Sequence, residues 1–152
     1  MKVIRKEDLN NCIGIEMSPT DWFTVTQEQI NQFADCTLDH QFIHVDEEKA
    51  KNTPFGSTIA HGLLSLSILP HFAQRFAYMI EGTFMGVNYG FDKVRFMHPV
   101  KVGSRIRAQA KLTHAEEKGP GRYMFKMDVT IEIEGKKKPA LKAVWIAMQM
   151  VA

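Results

Sequence analysis

The last third of the chain alternates. In SRIRAQAKLT, Ile106, Ala108, Ala110 and Leu112 fall on one side of a two-residue repeat. In YMFKMDVTIEIE, Tyr123, Phe125, Met127, Val129, Ile131 and Ile133 oppose Lys126, Asp128, Thr130, Glu132 and Glu134. A period of two sends neighbouring side chains to opposite faces, so both segments predict half-buried β-strands. ALKAVWIAMQM is apolar on both faces, as a central strand would be. GPG at 119–121 and GKKKP at 135–139 supply the turns.

Earlier in the chain the period lengthens. Thr26, with Gln29 three residues on, makes a capping box for a short helix at about 27–35, burying Ile30, Phe33 and Ala34. DHQFIH reads as irregular, Glu47 to Asn52 as one helical turn, and TPFG as a turn. From about Ile59, AHGLLSLSILPHFAQRFAYM predicts one strongly apolar helix. Leu63, Leu66, Leu69 and Phe72 mark its stripe, and Leu64 and Ile68 widen it. A helix apolar over most of its circumference is expected to be wrapped by other structure. Pro70 removes a backbone donor and predicts a kink. Long antiparallel strands with one such helix predict an α+β fold, the sheet curled around the helix.

Composition adds bounds. A chain of 152 residues, 45% hydrophobic and 24% charged, fits a single domain spanning 1–152. The N-terminus, MKVIRKEDLNN, is charged and has no apolar core of a secretory signal. No apolar run approaches the roughly 18 to 20 residues that span a bilayer, so no membrane partner is expected. Cys12 and Cys36 are isolated and match no zinc or CxxC spacing; reduced thiols in a cytoplasm are the expectation. Net charge is +2, but residues 93–152 hold 13 Lys and Arg against 5 Asp and Glu, while residues 1–92 hold 6 against 12. The basic excess reads as solvated strand faces or as contacts to a phosphorylated small ligand. Nucleic acid is not expected, because the aromatics are not interleaved with the basic residues.

The candidate chemistry lies in TLDHQFIHVDEEKAKNTPFGSTIAHG, which brings Asp39, His44 and His61 close in sequence. Asp39 and His44 are an acid/base candidate or a pair of satisfied structural groups. His40 and His44 raise a metal site, but zinc takes three or four ligands and neither HExxH nor a cysteine cluster supplies the rest. No metal is expected. IAHG enters the apolar helix, so N–H groups near His61 and Gly62 lie at its unsatisfied N-terminus, where a partial negative charge is favoured. Gly62 has no side chain to block a ligand, and it also suits tight helix packing.

FADCTLDHQFIHVDEEKAKNTPFGSTIAHGLLSLSILP resembles the hydratase motif of MaoC-like, (R)-specific enoyl-CoA hydratases of the hot-dog fold. D-x4-H, an acidic HVD, a turn and IAHG follow in the family's order, and NYGFDKVRFMHPVKVGS resembles its downstream strand. The likeness is detailed over about 26–105. Gln41 and Phe42 stand where the commoner pattern has Asn-Pro, and DHQFIHVD is similar to the nodulation-protein-N-like branch. That difference bears on acyl-chain preference.

The resemblance implies reversible addition of water to trans-2-enoyl-CoA, equivalently dehydration of 3-hydroxyacyl thioesters. It implies Asp39 and His44 as the catalytic pair, with Gly62 and His61 holding the thioester; Asn88 is a candidate either for the same contact or for a structural turn or strand-end role. Lys93 and Arg95 are placed at the pantetheine or phosphates of coenzyme A. Phe42, Phe55 and Leu63 are candidates for the acyl tunnel or plain core. No cofactor is implied beyond the thioester substrate itself, and a homodimer completes the sheet edge and groove. A hot-dog thioesterase and a non-catalytic acyl-CoA-binding protein are the alternatives.

Overall fold

The computed structural model describes residues 1–152. Strand β1 (Lys2–Ile4) leads to a 3-10 helix at Lys6–Cys12, and β2 (Phe23–Thr24) follows. Helix α1 (Gln27–Thr37) begins at the expected capping box. Gln29 N–H donates to Thr26 Oγ1 at 3.2 Å, and Thr26 N–H donates to Gln29 Oε1 at 3.0 Å. Two short helices, α2 (Phe42–Val45) and α3 (Glu47–Ala50), come next. The DHQFIH segment is therefore not irregular throughout: its second half is a helical turn. Four residues are too few to show a helical period.

The apolar helix is two helices, α4 (Gly62–Ser67) and α5 (Leu69–Phe76), broken at Ile68. Pro70 sits in the first turn of α5, where its missing donor costs nothing. The expected kink is present as a full break. The helix starts at Gly62 rather than Ile59, because Ile59 forms a β-bridge with Lys101 and Ala60 N–H donates to the Val100 carbonyl. Its far end is shorter too: Tyr78–Ile80 form β3, paired in parallel with β1. Leu63 departs from the predicted stripe and stands 59% exposed, while Leu69 and Phe72 are buried.

Four long strands follow: β4 (Thr83–Phe96), β5 (Arg105–Gly119), β6 (Arg122–Ile133) and β7 (Leu141–Val151). They form an antiparallel sheet with β2, in the order β2-β5-β6-β7-β4. The alternating residues of β5 and β6 named above are all buried. With Leu69, Phe72, Ala73 and Phe76 of α5 they belong to one continuous core of 28 buried residues. Each such large side chain contributes about 1.5–3 kcal/mol on burial, so this face fixes the sheet around the helix. β7 lies between β6 and β4, which explains its apolar residues on both faces. β4 is the outer strand and exposes Phe84, Met85, Val87, Tyr89 and Phe96.

Candidate active site

Leu38 ends α1 in the left-handed conformation, with φ 62° and ψ 20°. An L side chain there carries a penalty of about 1–2 kcal/mol. The turn it makes brings Asp39 back across His61. The Asp39 carbonyl accepts from His61 Nε2–H at 2.9 Å, and a carboxylate oxygen lies 4.0 Å from the same nitrogen. The carboxylate itself is 55% exposed, with a long contact of 3.4 Å from the Gln41 N–H.

His44 is the third residue of α2 and is 7% exposed. Its Nδ1 lies 2.7 Å from the Ile59 carbonyl. A carbonyl only accepts, so Nδ1 carries the proton and Nε2 keeps its lone pair. The turn is braced from behind: Gln27 Nε2 donates to the His44 carbonyl at 2.7 Å, while Gln27 Oε1 accepts from Thr58 Oγ1 at 2.5 Å. Burial holds the His44 imidazole below its ordinary pKa of 6.5, and the neighbouring His61 acts in the same direction. The Ile59 carbonyl and Asp39 pull the other way without reversing the shift. His44 is thus neutral near pH 7.

His61 caps α4 and is 3% exposed. Its ring stacks on His44 at 3.8 Å between centroids with 23° between planes, and Phe33 packs on it at 5.0 Å. By the same carbonyl argument its proton is on Nε2, which leaves Nδ1 buried without a partner. Ligand atoms of Asp39, His44 and His61 all lie within 4.8 Å of one another. Imidazole lone pairs lie in the ring plane, so two stacked rings aim theirs side by side rather than at one ion. His40 is elsewhere, paired with Asp35 at 2.8 Å.

Gly62 opens α4 with no side-chain cap on its first turn. Its Cα faces the Phe96 ring so closely that a Cβ there would lie 2.8 Å from Cδ1. His44, Gly62, Phe55, Ser65, Phe96 and Ala140 are among the walls of a cavity of about 280 Å³. Phe55 lines this cavity, whereas Phe42 and Leu63 are exposed. Asn88 is not brought to this cavity. Its Oδ1 accepts from Trp145 Nε1 at 3.1 Å, beside a separate apolar cavity of about 270 Å³ next to α5. Lys93 and Arg95 are exposed on β4, Lys93 at a bulge with φ 54°. Neither touches the Asp39–His44 pair.

Gln27, Thr58, Ser65 and Phe96 carry no signal of a role in the sequence pattern. A glutamine in the first turn of a helix signals nothing, and its bridge to Thr58 spans 31 residues. Phe96 stood within the quoted downstream motif, but its approach to Gly62 depends on folding β4 across the helix.

Residues 8–136 match the MaoC like domain. Over 136 residues the chain is 47% identical to 3-hydroxyacyl-thioester dehydratase Z of Mycobacterium tuberculosis, covering 90% of this chain and 89% of that protein. It is 47% identical over 144 residues to Nodulation protein N of Rhizobium leguminosarum bv. viciae, covering 93% and 88%. The monoamine oxidase regulatory protein structure from Archaeoglobus fulgidus superposes with a TM-score of 0.81 at 26% identity, over 100% of this chain and 97% of that one. The curled sheet and its helices are the α+β hot-dog fold. No helix is long and apolar enough to cross a membrane. With a matching domain over most of its length and relatives at nearly half identity, the chain belongs to the MaoC-like dehydratase family of hydro-lyases.

Proposed function

We propose that this protein reversibly hydrates trans-2-enoyl-CoA to the (R)-3-hydroxyacyl thioester, with Asp39 and His44 as the reacting pair. The observation that carries the reading is the meeting of an Asp39 carboxylate oxygen and a His44 ring nitrogen within 4.8 Å, His44 presenting a bare Nε2. Both groups accept hydrogen bonds. One water held by both donates one hydrogen to each and keeps a lone pair for the substrate.

The water oxygen bonds to Cβ as one O–H bond breaks toward the pair, with Asp39 as the main acceptor. The C=C electron pair moves toward the thioester carbonyl, and the enolate oxygen takes a hydrogen bond from the Gly62 N–H. A proton returned by the pair then closes Cα–H. Donors of this kind are worth about 10² to 10³ in rate, and a positioned acid/base about 10² to 10⁴. The reaction needs no cofactor or metal, because all transferred atoms come from water and the enoyl group.

Lys93 and Arg95 belong to the same proposal as contacts to the phosphates of coenzyme A, being exposed cations that make no ion pair. The outer strand β4 supports a homodimer: its unpaired edge and exposed apolar residues need a cover. Cys12 and Cys36 are free thiols, in keeping with a reducing cytoplasm.

The test is an enoyl-CoA panel of increasing chain length, following loss of enoyl absorbance and resolving the product's configuration. Formation of the (R)-3-hydroxyacyl thioester is expected. Release of free thiol without loss of the enoyl signal would make the protein a thioesterase instead.

A further inference from the structure

The cavity beside His44 has mostly apolar walls, Phe55, Phe96 and Met97 among them. Three polar side chains interrupt these walls: His44, His98 and Ser65. His44 is committed to the Ile59 carbonyl through Nδ1. His98 is committed in the same way, its Nδ1 lying 2.9 Å from the Pro99 carbonyl. In its neutral form that ring offers the cavity an acceptor and no donor. Ser65 is different. It is the fourth residue of α4 and only 2% exposed, yet its hydroxyl has no hydrogen-bond partner within the protein.

Packing alone does not account for a hydroxyl there. Alanine suits a buried helix position of this size better, having the higher helix propensity and no polar group to desolvate. A serine inside a helix ordinarily gives its hydrogen to the carbonyl four residues back. Here that carbonyl belongs to His61 and accepts the Ser65 N–H at 3.3 Å, without a bond from the hydroxyl. Nor does the hydroxyl reach His61 Nδ1, which is enclosed and also without a partner. A buried donor left free is costly unless a ligand takes it. The position of the hydroxyl says which ligand atom that is. Residues three apart on a helix share a face, and helical side chains lean toward the N-terminus, so the Ser65 hydroxyl leans toward Gly62. Both residues wall the same cavity.

We infer that Ser65 donates a second hydrogen bond, beside that of the Gly62 N–H, to the thioester oxygen as it takes up enolate charge. This rests on the thioester-hydration reading and adds a catalytic residue to it. An oxygen that becomes anionic between apolar walls is stabilised by donors already aimed at it, and one N–H leaves its remaining lone pairs unmet. Ser65 keeps its proton throughout: its O–H bond stays intact while the C=C electron pair moves toward the oxygen. A hydrogen bond to a charged acceptor is about twice as strong as one to a neutral carbonyl. The contact therefore tightens in the transition state, and its contribution falls on kcat rather than on KM.

The experiment uses Ser65→Ala, which removes the hydroxyl and leaves the helix and the other walls in place, so melting should equal or exceed that of wild type. With crotonyl-CoA, kcat should fall about 10²-fold while KM stays within about twofold. The second readout is the infrared carbonyl band of bound butyryl-CoA, isotopically labelled at the thioester carbon. This saturated analogue takes up no water. The variant should move the band to higher frequency, because a carbonyl with one donor fewer is less polarised. An unchanged kcat overturns the inference, and so does an unmoved band, which would make Ser65 a brace for His61 or for the water. If wild type hydrates no enoyl-CoA, the functional reading fails separately and the band alone decides: a shift in the variant upholds the Ser65 contact, and no shift overturns it. Failure of wild type to bind butyryl-CoA overturns both.

Discussion

Asp39→Asn preserves the shape of the side chain and removes its charge. The folded structure asks little of that charge: the carboxylate is 55% exposed, its one hydrogen bond is 3.4 Å long, and its distance to His61 Nε2 is 4.0 Å. A substitution with so few contacts changes stability by about 0.5 kcal/mol or less. If Asp39 takes the water proton, its loss costs about 10² to 10⁴ in rate, roughly 2.7–5.5 kcal/mol of transition-state stabilisation. The kinetic effect is thus several times the structural one, and the two can be measured apart. His44→Gln behaves differently, because the Ile59 carbonyl loses its 2.7 Å donor in a buried place. That costs about 1–3 kcal/mol, or roughly 2–12 °C in Tm for a chain of this size. The assay is crotonyl-CoA hydration followed by enoyl absorbance, with melting curves on the same preparations. The double variant should lose far less than the product of the two single losses, since residues acting on one water are not additive. Full activity in both single variants, with Asp39→Asn melting like wild type, would reduce the pair to structural residues.

The lowered pKa of His44 sets an acid limit. The neutral ring is the competent form, so kcat/KM should be level through neutral pH and fall only below 6.5; a fall beginning above that value contradicts the lowered pKa of His44. The same sign applies to folding: unfolded His44 binds its proton more readily, so its contribution to stability is present above pH 6.5 and declines as pH drops below it. Gly62→Ala keeps the N–H but sets a methyl 2.8 Å from the Phe96 ring, in the way of a thioester approaching that donor, and should lower hydration about 10²-fold as if the donor were lost. Adding Phe96→Ala should relieve the ring clash but not unblock the donor, and recovery of activity would place the defect in packing alone. Lys93→Ala with Arg95→Ala should raise KM for acyl-CoA with kcat little changed, and an unchanged KM would return both to solvent. Sedimentation at micromolar concentration should give a dimer or a multiple of it, which a stable, fully active monomer would refute.

The sheet was legible because β5 and β6 bury one face each, and a period of two over a dozen residues has no helical counterpart. The capping box at Thr26 was legible for a related reason: both partners are local. Legibility faded where geometry is made at a distance. His44 reaches its donor arrangement through Ile59, 15 residues on, and His61 through Asp39, 22 residues back. Asn88 has the right chemistry for a substrate contact, yet the strand register sets it against Ala147, and Trp145 claims its oxygen. Pro70 predicts only a kink where the helix in fact breaks at Ile68, since a proline in the first turn of a second helix leaves the same sequence mark as one bending a single helix.

Leu38 bears on anyone who would engineer this protein for heat resistance. A leucine with φ 62° at the surface is the sort of position a thermostability screen corrects first, by glycine, which occupies that region without penalty. Such a screen sees only melting temperature. The residue after Leu38 is Asp39, and the direction of its carboxylate is set by this one turn. A hardier variant chosen there would trade a fixed approach angle for a looser hinge, and the trade would appear only in turnover.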